Sequence, residues 1–174
     1  MTKKIIIHEE YCIGCRLCEV HCLVAHSKSK HILKTFKEEF RFRDAIPRIV
    51  VEKQDTDYHT FGMPCRHCED ADCIESCMTG ALYRDEKTGA VLLNDEKCIG
   101  CYMCIMSCPY GVIRRSSSPD KKVASKCDMC VDVEGDIPVC VQNCPNEALT
   151  FEEVKDSPEA ERNSQAKQDV EESG

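Results

Sequence analysis

Sixteen cysteines stand in four groups of four along a chain of 174 residues, and their spacing leaves few ways for it to fold. Group one is Cys12-x2-Cys15-x2-Cys18-x3-Cys22, and group two is Cys65-x2-Cys68-x4-Cys73-x3-Cys77. Group three is Cys98-x2-Cys101-x2-Cys104-x3-Cys108, followed by Pro109. Group four is Cys127-x2-Cys130-x9-Cys140-x3-Cys144, followed by Pro145. Groups one and three share even their flanks, Glu10-Tyr11-Cys12-Ile13-Gly14-Cys15 against Glu96-Lys97-Cys98-Ile99-Gly100-Cys101. The chain is an internal repeat in which every unit presents four thiols.

The rest of the composition explains why those thiols matter to folding. The hydrophobic fraction of 42% counts every cysteine, and there is no Trp and only five Phe. That is a thin supply for a core of this size, so something else must fill the interior. Abundant cysteine means a disulfide framework in a secreted chain and metal or redox chemistry in a cytosolic one. The N-terminus places Ile5-Ile6-Ile7 after Lys3-Lys4, too short a run for the roughly 7–15 apolar residues of a signal peptide. Nothing approaches the ~20 apolar residues of a membrane span. The expectation is a cytoplasmic protein without a direct membrane span, and disulfides are set aside. A net charge of −8 argues against nucleic acid, which calls for a basic face.

Each iron of a cubane [4Fe–4S] cluster takes one protein thiolate. A Cys-x2-Cys-x2-Cys loop can wrap one cube, while the fourth cysteine, after x3 and often before Pro, reaches the other cube in two-cluster ferredoxins. Four related copies with no cysteine left over therefore predict four [4Fe–4S] clusters, one per four cysteines. Structural zinc uses paired cysteines separated by a dozen or more residues. Group four, with nine residues between Cys130 and Cys140, is the group most tolerant of zinc and leaves open whether its cluster is complete. A catalytic dithiol would need a thioredoxin-like context that is missing. His21, His26, His31, His59 and His67 are expected in structural or solvent-facing roles, with His67 able to hydrogen-bond a sulfur and tune its potential. Met63, Met78, Met103, Met106 and Met129 are expected to pack around the clusters. No nucleophile–base pair, P-loop or Gly-x-Gly-x-x-Gly is present to suggest a substrate site. The chain reads as a carrier, with no catalytic residues of its own.

Locally, each group predicts a loop leading into a short helix, with the glycine after the first cysteine suiting a tight turn. Pro109 and Pro145 mark turns just beyond a fourth cysteine. Lys3–Ile7, Ala90–Leu93, Ala148–Phe151 and Ile49-Val50-Val51 read as strands. Leu82 to Leu93, centred on Asp85-Glu86-Lys87-Thr88-Gly89, reads as a hairpin. The expected class is α+β, with a cluster-binding domain over 1–153, an insertion over 23–64 and an acidic disordered tail over 154–174. Within the insertion, residues 28–53 are rich in base: Lys28, Lys30, Lys34, Lys37, Arg41, Arg43, Arg48 and Lys53. That stretch is either a solvated hairpin or a face for an acidic partner.

The order of groups, the hairpin between groups two and three and the wide gap in group four resemble the four-cluster ferredoxin-like subunits of the dimethyl-sulfoxide-reductase type. The most specific stretches are Pro64-Cys65-Arg66-His67-Cys68, Thr79-Gly80-Ala81 and Lys126-Cys127-Asp128-x-Cys130; Leu23 and Met78 stand where proline follows the fourth cysteine in groups three and four. The resemblance implies two ferredoxin-like, two-cluster halves with short strands and helices, an outer one from groups one and four and an inner one from groups two and three. It also implies ligand sets. Cys12, Cys15 and Cys18 would share a cluster with Cys144; Cys65, Cys68 and Cys73 with Cys108; Cys98, Cys101 and Cys104 with Cys77; and Cys127, Cys130 and Cys140 with Cys22. Pairing group one with two and three with four is the alternative.

Within that family, the run from Cys12 to Cys22 with His26-Ser27 is most similar to the polyferredoxins associated with carbon monoxide dehydrogenase. The similarity implies a non-enzymatic subunit of an anaerobic oxidoreductase complex. It would relay single electrons from carbon monoxide dehydrogenase to a flavin- and NAD(P)-dependent oxidoreductase or a hydrogenase. The alternatives are a subunit of a molybdopterin oxidoreductase, formate dehydrogenase or hydrogenase complex, and a redox sensor or cluster scaffold.

Overall fold

Every cysteine group feeds a short helix, and short antiparallel strand pairs set the groups apart. The computed structural model describes residues 2–40, 46–53, 60–116 and 122–154. The expected tail beyond Val154, His59, Arg41 and Arg43 lie outside the described residues.

Strand β1 (Thr2–Ile7) runs through a 3-10 turn at Glu9–Tyr11 into the first cysteine loop and helix α1 (Leu17–Ala25). The insertion contributes α2 (Ile32–Lys34), a π-helical stretch over Thr35–Phe40, then β2 (Val50–Lys53) and β3 (Thr60–Met63). Group two leads into α3 (Asp72–Glu75), followed by β4 (Leu82–Arg84) and β5 (Val91–Leu93). Group three leads into α4 (Met103–Ser107), then β6 (Arg114–Arg115) and β7 (Ala124–Ser125). Group four holds α5 (Val139–Gln142), and β8 (Leu149–Val154) completes the described chain. Among the described residues, no helix is long and apolar enough to cross a membrane.

The strands form four separate two-stranded sheets, β1-β8, β2-β3, β4-β5 and β6-β7. The first joins the two ends of the described chain, with Ile5 opposite Phe151 and Ile7 opposite Leu149. Two-stranded ribbons have little stability of their own, so what lies between them must hold them. One buried group joins Cys18, Cys22, Ile49, Val51, Cys140 and Leu149. A second joins Ala71, Leu82, Val91, Cys104, Ile113 and Ala124. A third, Ala90 with Cys127 and Met129, has Ile5, Cys65 and Phe151 packed against it. Cysteine is present in all three, as the shortage of large apolar side chains predicts. Helix α1 packs on α5, and α3 on α4, so the helices of groups one and four meet and those of groups two and three meet.

The expected strands are present with shifted ends. The Ile49-Val50-Val51 segment becomes β2 over Val50–Lys53, because Glu52 and Lys53 pair with Phe61 and Thr60. β8 continues past Phe151 because its partner β1 extends to Thr2. The expected hairpin forms, and Asp85 closes its turn: its side chain accepts the Thr88 N–H at 2.9 Å and the Thr88 hydroxyl at 2.6 Å. The β6-β7 pair and the π-helical stretch had no sequence expectation.

The repeat persists in the backbone dihedrals. Gly14 and Arg16 have φ of 66° and 61°, and their counterparts Gly100 and Tyr102 have 69° and 61°. A left-handed conformation costs most side chains about 1–2 kcal/mol. At Gly100 space is also missing, since a Cβ there would run into the Lys122 carbonyl oxygen, whereas at Gly80 (φ 63°) it would meet nothing within 4 Å. Gly80→Ala should therefore lose about 1–2 kcal/mol, the dihedral cost alone. Gly100→Ala should lose clearly more, read as a lower guanidinium midpoint of the loaded protein; equal midpoints would remove the steric role assigned to Gly100.

Candidate metal centres

All sixteen cysteines are free thiols, and only Cys15 and Cys101 among them are exposed. Their helices explain how loops from distant repeats come together. Cys18 and Cys22 lie four residues apart on α1 and so share one helix face. That face packs toward α5, the helix of group four. Cys108 directly follows α4, and Cys77 and Cys144 stand one residue further beyond α3 and α5.

The neighbourhoods of individual thiols are specific. Cys12, Cys15, Cys18 and Cys144 line one cavity, with Val51 and Leu149 among its walls. Burial pushes the Cys18 thiol up to about 12, with Glu19, Cys15 and Cys12 adding to it. Burial, then Cys127, Cys22, Cys130 and Cys18, pushes Cys140 far above the ordinary thiol range. Cys127 is raised to about 12 by burial, with Cys22 and Cys65 as its thiol neighbours. Cys73 is raised to about 11 by burial and then by Cys65, Cys108 and Cys68. Cys104 is raised by burial and by Cys98, Cys77 and Cys101. Each neighbourhood thus includes a cysteine from another group.

Several sulfurs accept hydrogen bonds. The amide of His67 donates to Cys65 Sγ at 3.5 Å, that of Met129 to Cys127 Sγ at 3.4 Å and that of Arg48 to Cys22 Sγ at 3.3 Å. The Thr60 hydroxyl reaches Cys12 Sγ at 3.7 Å. Cys77 is the exception in acidity. Burial opposes its ionisation, but the amides of Leu82, Thr79 and Ala81 and the Thr79 hydroxyl hold it below the usual thiol range. Deeper in, His67 is 3% exposed. Its Nδ1 accepts the Val91 N–H at 3.0 Å, and its Nε2 is buried with no partner among the described residues.

These features fit iron–sulfur clusters. Crowded, buried thiols ionise only with a cation among them, and soft thiolates in tetrahedral sets select iron–sulfur or zinc. The orphan imidazole donor beside group two suits a centre that carries acceptor sulfurs of its own. A zinc ion held by four cysteines brings no such additional acceptor.

A second polar arrangement ties the insertion and α1 to group four. His26 Nδ1 donates to the Cys22 carbonyl at 2.8 Å and Nε2 donates to Asp128 at 3.1 Å. Both acceptors lack a proton to give, so the ring carries two and is an imidazolium. Burial alone would lower its pKa, but Asp128, then Cys130 and Cys22, raise it to about 12. Burial works against Asp128 ionising too, yet His26 and Arg48 hold it well below the carboxylate range. Ligand atoms of His26, Asp128 and Cys130 lie within 4.8 Å of one another. With both nitrogens protonated, however, His26 has no lone pair for a metal.

Sequence reasoning located His67 but not the partners it meets. His21 is half-buried and His31 exposed, while His26, expected to be structural or solvent-facing, is the charged link just described. Of the methionines, Met129 packs in the core at 7% exposure, whereas Met78, Met103 and Met106 lie open to solvent at 78%, 48% and 83%. That corrects the expectation for these three: Met103 and Met106 stand on α4, whose inner face Cys104 fills, and Met78 lies in the turn after Cys77. Arg48, Asp128 and Lys126 stood in the sequence reading without their partners, because nothing in a charged residue's local pattern says that its partner lies 80 or 35 positions away.

Residues 56–154 match the family described as the 4Fe-4S dicluster domain. Among curated proteins of Escherichia coli (strain K12), the electron transport protein HydN is 40% identical over 162 residues, covering 86% of this chain and 87% of HydN. The ferredoxin-like protein YdhX is 42% identical over 160 residues, 88% of this chain and 66% of YdhX. AegA is 36% identical over 154 residues, 86% of this chain. The chain spans just under two thirds of YdhX and 22% of AegA.

The raised thiols set a pH dependence for loading. Cys18, Cys127 and Cys73 hold their protons more tightly than the ordinary thiol value of 9.0, and iron must displace those protons. Binding therefore releases protons and weakens as pH falls. A chelator challenge followed by the visible absorbance should strip the loaded chain faster at pH 6 than at pH 8. The same rate at both would mean that the thiols are not the ligands.

Proposed function

This chain belongs to the 4Fe-4S dicluster-domain family of ferredoxin-like proteins, and from that premise we propose that it relays single electrons through four [4Fe–4S] clusters between a catalytic subunit and an acceptor oxidoreductase. It is an electron-carrier subunit rather than an enzyme. The carrying observation is the collection of free thiols from distant groups into shared buried neighbourhoods. In this reading Cys12, Cys15, Cys18 and Cys144 hold one cluster; Cys65, Cys68, Cys73 and Cys108 a second; Cys98, Cys101, Cys104 and Cys77 a third; and Cys127, Cys130, Cys140 and Cys22 a fourth. An outer and an inner half follow. The packing of α1 on α5 and α3 on α4 supports that division.

The thiol contacts also support an order. Cys18 and Cys140 share one buried group, and Cys65 packs on the group that holds Cys127, so the relay runs group one, four, two, three. Its two ends carry the exposed thiols, Cys15 and Cys101. When bound, such clusters supply one-electron transfer with little ligand rearrangement, at potentials set by burial and by hydrogen bonds to sulfur. The protein contributes dry walls, fixed thiolates and amide donors such as those of His67, Met129 and Arg48.

The donor we propose is carbon monoxide dehydrogenase, with a flavin- and NAD(P)-dependent oxidoreductase or a hydrogenase as acceptor. The basis is the resemblance of Cys12 to Cys22 and His26-Ser27 to the polyferredoxins of that enzyme. A surface near Lys34 and Lys37, where Ile32 and Leu33 are 48% and 72% exposed, offers an acidic partner both charge and apolar contact.

Under CO, catalytic amounts of carbon monoxide dehydrogenase should bleach the loaded chain faster than formate dehydrogenase does with formate or hydrogenase with H2. Faster reduction by either of the others would reassign the donor. Lys34→Glu combined with Lys37→Glu should slow the CO-driven reaction at low salt and leave it unchanged at high salt; an unaffected low-salt rate would remove this face from docking.

A further inference from the structure

Among the described residues, the Lys126 ammonium is buried with no carboxylate paired to it. Lys126 is 3% exposed. Its Nζ donates to the Val91 carbonyl and, at 2.7 Å, to the Cys127 carbonyl, and no ion pair reaches it among the described residues. A buried charge without a counter-charge is costly. Two carbonyl oxygens satisfy its donors in part but supply no opposite charge. The opposite charge has to come from what it faces. Lys126 directly precedes Cys127 of group four, and Cys73 of group two lies within reach of its charge.

His67 meets the same strand residue, on the same open edge of β5. The Val91 N–H donates to His67 Nδ1 at 3.0 Å while the Val91 carbonyl takes Lys126. With Nδ1 accepting, the proton of the neutral ring sits on Nε2. That N–H is buried and finds no protein acceptor among the described residues. Val91 belongs to the buried group containing Cys104, with Cys73 and Cys108 packed on it, and neighbouring Ala90 to the one joining Cys127 with Cys65. The pair of polar groups therefore stands between buried groups that hold thiols of groups two and four.

We propose that Lys126 and His67 form a polar junction between the group two and group four centres. Lys126 is the resident positive charge shared by both, and His67 is a neutral N–H donor to a sulfur of the group two centre. The inference rests on the reading that both groups hold [4Fe–4S] clusters. Neither residue is a ligand; each acts on the ease with which electrons enter the middle of the relay. An added electron is negative charge in a dry site, so a fixed cation alongside raises the potential of both centres.

The test is a redox titration of the full loaded chain, followed by electron paramagnetic resonance, with iron and acid-labile sulfide measured on every sample. Lys126→Met keeps the length of the side chain and removes the charge; Lys126→Arg keeps the charge. Lys126→Met should lower two of the midpoint potentials together, each by about a tenfold change in the reduction equilibrium, which is ~59 mV for one electron. The remaining potentials should stay in place, and Lys126→Arg should stay near the parent values. Should Lys126→Met fail to load, His67→Phe provides the second arm, with the potential of one centre falling. In the parent chain labelled with 15N-histidine, the reduced protein should show a nitrogen coupling that His67→Phe abolishes. Unmoved potentials in fully loaded variants, a uniform shift of every centre, or no histidine coupling would overturn the junction. A low iron and sulfide content in the parent chain would instead overturn the cluster reading beneath it.

Discussion

The contact on which everything else in this chain depends is that between a cysteine and thiols from another repeat. Cys22 sits with group four, Cys108 with group two and Cys77 with group three, and Cys144 lines the cavity of group one. Each such contact closes a long loop, and loop closure carries an entropic cost that grows slowly with length. The described strands are too short, and the apolar clusters too small, to meet that cost unaided. Metal bound at the shared thiols would act as the cross-link, which makes loading and folding one event. The small helices follow from this arrangement. A helix of four or five residues is far below what is stable alone, and here each serves chiefly to deliver one sulfur on each side.

Charge is placed to the same end. The chain carries a net charge of −8, yet several of the polar groups set among the thiols are positive or N–H-donating: His26, Arg48, Lys126 and His67. The Asp128 carboxylate is held by Arg48 and His26 together. That arrangement joins α1, the insertion and group four through one half-buried carboxylate. Breaking such a group by removing one partner is far more damaging than its absence would be, because the others stay buried without compensation.

Much of this was legible in the cysteines. Their spacing identified the repeat, the ligand chemistry and the helix that follows each loop, and Asp85 to Gly89 marked the hairpin. Ile5 to Ile7 read as a strand because three β-branched side chains in a row suit a pleated backbone better than a helix. Other parts had no local signature. Arg114–Arg115 and Ala124–Ser125 form a ladder only two residues long on each side, too short for any periodicity. Lys126 reads as a surface residue by type, and its carbonyl partners are set by where β5 passes. Met78, Met103 and Met106 read as core by hydrophobicity, but the cysteines beside them had taken the interior. A pattern of residue types predicts which face turns inward; which distant face meets it depends on closure of the whole chain.

One quantity bears most directly on this picture: iron and acid-labile sulfide per polypeptide in chain loaded anaerobically in the cell. Full occupancy gives one iron and one sulfide for every cysteine, with the broad brown absorbance of [4Fe–4S] centres bleaching on reduction. A colourless, well-folded chain holding zinc, or iron far below one per cysteine, would contradict it.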